Sequence, residues 1–168
     1  MPEILKTFVR RTDALNRGVG RFAMYLIFVL LGILLWSSIA KTAFTPTLWT
    51  LEMAQFVMTA YFLLGGAYSM QMGDHVRMDL VYSLWGPRGK AWSDVLTSVF
   101  LLTYLVFLVY GGVSSTIYAL EYGETSPSAW RPYMAPIKII MVIGATLMLL
   151  QAISGLIRDV ATLRDEEI

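Results

Sequence analysis

The residues best equipped for chemistry sit in the stretch GDHVRMDLVYSLWG, residues 73–86. His75 is the single histidine of the chain, and it lies among Asp74, Arg77 and Asp79. On a helix His75 and Asp79 would share a face, as metal ligands or an acid–base pair would need to. One histidine with two nearby acids and no second ligand cluster is a weak donor set, and no activated Ser or Thr accompanies it. The stretch reads better as an interfacial loop. Val76, Leu80, Val81 and Leu84 repeat at helical spacing, and Arg77 suits a carboxylate or a lipid phosphate. A second polar stretch, EYGETSPSAWRPYMAPIK over 121–138, carries Glu121, Glu124, Arg131 and Lys138. Prolines 127, 132 and 136 deny it a continuous helix, which predicts a rigid turn. With no cysteine there is no thiolate or zinc–cysteine site, and one histidine cannot supply bis-histidine haem ligation. No metal, cofactor or catalytic residue is expected.

The elements that carry these loops are legible in composition. Of 168 residues 57% are hydrophobic and 15% charged, against about 25% charged in a soluble domain. The net charge of +1 offers no field for nucleic acid. Runs free of Asp, Glu, Lys, Arg and His cover 22–40, 53–73, 95–120 and 139–157. Each reaches the roughly 18 residues that a spanning helix needs. Apolar nearly all round, they lack the polar stripe of a soluble amphipathic helix. The third would run about 39 Å at 1.5 Å per residue, and so should tilt or project beyond a hydrocarbon core of about 30 Å. Ser38-Ile39-Ala40 resembles a cleavage triplet, but the apolar run before it is too long for a signal peptide, so the first span is expected to be a helix.

Ten basic residues fall before the first span, between the second and third, or after the fourth: Lys6, Arg10, Arg11, Arg17, Arg21, Arg77, Arg88, Lys90, Arg158 and Arg164. Lys41, Arg131 and Lys138 occupy the other two connections. The asymmetry places both termini and residues 74–94 in the cytoplasm. The lead-in, residues 2–20, is expected to be an amphipathic interfacial helix. Ile4, Phe8, Leu15 and Val19 fall within about 60° of one another at 100° per residue, Leu5 and Val9 widen that face, and Lys6, Arg10 and Arg17 lie opposite. The fold class is therefore an all-α integral membrane protein: a single membrane domain over 1–168 with four transmembrane helices and this lead-in.

None of the four runs holds an ionisable residue at depth. Ion-coupled carriers and proton relays place such groups inside the membrane, so this chain is not expected to move an ion or charged substrate alone. No mid-span proline marks a broken-helix substrate site. The small residues suggest packing seams instead, toward a helix of this chain or of another: Gly65-Gly66-Ala67 in the second span, Gly111 and Ser115 one turn apart in the third, Gly144 and Gly155 in the fourth.

Around the two polar loops the chain resembles the small membrane subunit of tripartite ATP-independent periplasmic (TRAP) transporters, the DctQ-like family. The resemblance is carried by Gly73-x-His75-Val76-Arg77-x-Asp79-Leu80, by Gly123-Glu124-x-Ser126, and by Leu150-Gln151. It covers nearly the whole chain. One departure stands at the start of the second span, where the family often has Glu-x-x-Arg: Glu52 is present, but Gln55 holds the arginine position. The resemblance implies a multi-pass protein of the bacterial inner membrane that is not an enzyme. It implies two protein partners, a large TRAP membrane subunit and a periplasmic substrate-binding protein, besides membrane lipids. Its implied role is to brace the large subunit during sodium-coupled uptake of an organic acid. Glu52, His75, Arg77, Asp79, Glu124, Arg10 and Arg11 are then the candidate contacts to a partner or to lipid. The rival readings are a self-contained, homo-oligomeric small transporter or channel and a membrane enzyme with an interfacial site at Asp74 to Asp79.

Overall fold

A computed structural model of the chain describes residues 3–43, 45, 47–72 and 86–163. They form four helices: α1 (Glu3–Ala43), α2 (Thr50–Met72), α3 (Pro87–Glu121) and α4 (Ala135–Leu163). The described residues contain no β-strand, only an isolated bridge between Thr125 and Tyr133. Leu, Met, Ala and β-branched residues fill the helices, and the breakers stand at the ends. Gly86 is extended at φ −68, ψ 170, and Pro87 opens α3, where its missing N–H costs nothing. At the far end of α3, Gly123 takes φ 59 and the Glu124 N–H reaches the Ala119 carbonyl at 3.1 Å, the closing bond of a Schellman turn.

α2 packs between α1 and α4, α1 also touches α4, and α3 lies against α4. The core is made of small residues. Nine of the thirteen buried hydrophobic side chains are alanines, while Phe100, Phe107 and Tyr110 on α3 are each at least 70% exposed. This inversion, small inside and large outside, is how helices pack when the surroundings are hydrocarbon and only close contact holds them together. α1, α3 and α4 each contain a stretch long and apolar enough to cross a membrane. α2 contains no stretch that meets the same measure, its run being diluted by Gln55, Thr59, Tyr61, two glycines, Tyr68 and Ser69.

Two expectations are changed by the packing. The lead-in is helical, but it is not a separate element: α1 runs unbroken for 41 residues, about 60 Å. No proline interrupts it, and its buried residues Val9, Thr12, Asn16, Gly20 and Ala23 form one stripe. That stripe takes in Val9 from the edge of the expected apolar face and is centred about 90° round the helix from Ile4, Phe8, Leu15 and Val19. The second change concerns the seams. Cβ atoms placed on Gly65, Gly111 and Gly155 would meet nothing within 4 Å, whereas their neighbours are tight. A Cβ on Gly20 would clash with Tyr68 Cβ, one on Gly66 would lie 3.0 Å from Met148 Sδ, one on Gly112 3.1 Å from Val142 Cγ2, and one on Gly144 2.8 Å from Leu63 Cβ. Gly112, not Gly111, brings α3 onto α4.

Candidate functional site

The polar side chains of the described helices gather at two ends of the bundle. At the first end α1 offers Asp13 and Asn16, three apart and so on one face, and α4 offers Gln151, Ser154 and Arg158 at spacings of three and four. Asn16 Nδ2 donates to Gln151 Oε1 at 2.6 Å, and Gln151 Nε2 donates to Asp13 Oδ1 at 3.2 Å. The Arg158 guanidinium pairs with the other oxygen of Asp13. Asn16, Gln151 and Ser154 are at most 3% exposed. The carboxylate accepts only, so it fixes the orientation of the Gln151 amide, and Gln151 in turn fixes that of Asn16. Asn16 Oδ1 and Ser154 Oγ have no hydrogen-bond partner among the described residues. The cluster has no nucleophile held against a base, and its one carboxylate is engaged by a cation. It does mechanical work, joining the start of α1 to the end of α4.

At the opposite end, Thr50 closes the α1–α2 corner. It is 1% exposed, its hydroxyl lies 3.0 Å from Thr47 Oγ1, and it reaches Ser37 Oγ at 3.2 Å. Next to it, in the first turn of α2, Glu52 is half-buried, and its Oε2 has no partner among the described residues. Residues 122–134 form a tight hairpin: Ser126 N–H to the Pro132 carbonyl and Met134 N–H to the Glu124 carbonyl, both 2.9 Å, with Arg131 at φ 51 in the turn. The Glu124 carboxylate pairs with Lys138, whose ammonium also points at the Ser115 carbonyl at 3.5 Å. One ion pair thus ties the hairpin to both α3 and α4.

The candidate residues read from the sequence are not brought together. Glu52 and Glu124 stand at one end of the bundle, and Arg10 and Arg11 are exposed near the start of α1 at the other. His75, Arg77 and Asp79 lie outside the described residues, as do Asp74 and the short helix expected over 76–84. No group of three or more His, Cys, Asp or Glu side chains is placed to hold a metal among the described residues. Sequence reasoning passed over Asp13 and Asn16. Their signal is the small and polar stripe Thr12-Asn16-Gly20-Ala23, which a helix lying on a lipid surface has no reason to carry.

These features define a class: an all-helical, multi-pass membrane protein whose described polar groups join helices. A family model described as "Tripartite ATP-independent periplasmic transporters, DctQ component" matches residues 30–162, and the chain belongs to that family. No curated protein matches it. The family match takes in α2, α3, nearly all of α4 and the last third of α1; Asp13 and Asn16 precede it.

Proposed function

We propose that the chain braces the large membrane subunit of a TRAP transporter during sodium-coupled, binding-protein-dependent uptake of an organic acid across a bacterial inner membrane. The observation that carries this reading is that α1 to α4 each hold an unbroken apolar run of about 19 residues or more without Asp, Glu, Lys, Arg or His. A group that changes charge, or pairs with charge, is the usual means of coupling an ion gradient to transport. A brace needs instead a stiff core and a wide apolar exterior, and the alanine and glycine seams with the aromatic outer face of α3 supply both.

In this reading all four helices span. α2, at 23 residues or about 35 Å, is long enough, and its packing between α1 and α4 shelters its polar groups. Both termini face the cytoplasm. The basic asymmetry supports this, and so does the Asp13–Arg158 pair, which holds the start of α1 and the end of α4 at one end of the bundle. At about 60 Å, α1 exceeds the bilayer core twofold, so its first half runs into the interface. There Ile4 and Leu15, both at least half exposed, meet acyl chains, and Arg10 and Arg11 meet headgroups. Glu52, Glu124, His75, Arg77 and Asp79 are proposed contacts to the large subunit, to the binding protein or to lipid.

The test is a tagged pull-down of the full chain from native membranes in mild detergent, with partners identified by mass. A stoichiometric large polytopic partner is expected. An oligomer of this chain alone would overturn the bracing role in favour of a self-contained transporter.

A further inference from the structure

The outer face of α1 and α2 is not flush. Where the helices part, a groove of about 470 Å³ opens, with Gly65 and Gly66 among its floor residues, Met24 and Phe62 among its walls, and Tyr68 and Ser69 toward one end. It spans Tyr61 to Ser69 along α2, about 12 Å at the helical rise. A Cβ on Gly65 would meet nothing within 4 Å, so the space is open down to the backbone. The helices run antiparallel, and Gly20 sits against Tyr68, so Ser69 lies level with the turn before Gly20. On that turn is Arg17, which shares a face with Gly20 and Met24 by helical spacing. Arg21 follows one turn later. Both arginines are exposed, make no ion pair among the described residues, and stand just before the apolar run of α1, beside the residues that line the groove.

We propose that this groove is a binding site for one anionic phospholipid, an acyl chain lying over Gly65 and Gly66 and the phosphate held by Arg17 and Arg21. Shape and charge select that occupant. Met24, Phe62, Gly65 and Gly66 make an apolar trough that a single flexible acyl chain can follow. Hydrocarbon left out of the groove would forfeit the dispersion contacts of its floor. The unpaired arginines lie at headgroup depth and favour a negative phosphate, to which guanidinium offers paired donors. The groove between α3 and α4, lined by Gly111, Gly112 and Ser115, lacks this feature: Lys138, which reaches Ser115, is already paired with Glu124. The inference rests on the membrane character of the bundle and not on the bracing role, so each can fail alone.

The experiment is native mass spectrometry of the full chain, purified in mild detergent, stripped of lipid and then given phosphatidylglycerol or phosphatidylcholine with the same acyl chains. One phosphatidylglycerol per chain should be retained, about fivefold in preference to phosphatidylcholine. Replacing both Arg17 and Arg21 by Gln should bring the two lipids to parity. Gly65→Leu should abolish retention with helix content and unfolding midpoint unchanged. Met24→Ala, which removes one wall and adds no bulk, should give partial loss and guards against misfolding of the leucine variant. Equal retention of the two lipids by the wild-type chain, or full retention by Gly65→Leu, overturns the proposal. So does a Gly65→Leu chain that keeps its lipid but no longer captures a large partner, which would make the groove a protein seam.

Discussion

Gly144 and Gly155 lie on the same helix, and the same substitution should have opposite effects at the two. A Cβ on Gly144 would fall 2.8 Å from Leu63 Cβ and 2.9 Å from the Leu63 carbonyl carbon and oxygen. Those are backbone and near-backbone atoms of α2, and no rotamer change removes them. Ordinary contact begins near 3.4 Å, so Gly144→Ala must part α2 from α4 by about half an ångström locally. The next turn of the seam, Gly66 against Met148 at 3.0 Å, would loosen with it. Overpacking of this kind costs about 1–3 kcal/mol, a factor of roughly 5 to 150 in the folded-to-unfolded ratio. Gly155→Ala meets nothing within 4 Å and keeps only the helix-propensity gain of up to about 1 kcal/mol. Because that gain is common to both, their difference isolates the seam, and it should be at least about 1 kcal/mol. The assay is reversible unfolding of the purified chain in mixed micelles by added denaturing detergent, followed by far-ultraviolet circular dichroism. Equal midpoints for the two variants would refute the packing.

Asp13→Asn removes one partner of Arg158 at a joint where the Asp13 side chain is 18% and the Arg158 side chain 39% exposed. The cost should be about 1 kcal/mol and shrink in high salt, as the difference in unfolding midpoint from wild type at two ionic strengths will show. Glu124→Gln weakens the tie from the hairpin to Lys138; amides of 122–134 should exchange faster by hydrogen-exchange mass spectrometry while those of α2 stay unchanged. Thr50→Val strips a hydroxyl that meets Ser37 and Thr47 and should lower stability by about 1 kcal/mol in the same unfolding assay.

Some of this molecule is written in composition and some only in packing. The apolar runs are legible because a membrane selects each residue by hydropathy regardless of its neighbours, and Pro87 and Gly123 mark helix ends by local backbone chemistry. The glycine doublets announce seams but not their facing. Whether Gly65 or Gly66, Gly111 or Gly112, turns inward depends on helix rotation, which the neighbouring helix sets. The charge pattern of the lead-in is compatible with a lipid surface, and that reading hides Asp13 and Asn16. Their partners lie about 135 residues away in sequence, beyond the reach of any local pattern.

That distance gives the lead-in a structural weight that its place ahead of the family match would not suggest. Gln151 lies within the match, yet both of its side-chain hydrogen bonds go to residues before it. Deleting residues 2–20 would therefore do more than remove a basic, lipid-facing segment. It would leave the amide of Gln151 and the hydroxyl of Ser154 on α4 without the helix that covers them, and Arg158 without Asp13. At the level of the headgroups an amide without those partners is solvated and adds little to stability, so replacing it by an apolar side chain costs little. In the full chain Gln151→Leu should cost about 1–3 kcal/mol, because it abandons Asn16 and Asp13. In the chain lacking 2–20 the same change should be neutral or stabilising, since there is nothing left to abandon. The sign reversal, read from unfolding midpoints of the four proteins, is the signature of a joint. A Gln151→Leu cost that is the same with and without the lead-in would mean that α1 does not hold α4 through these groups.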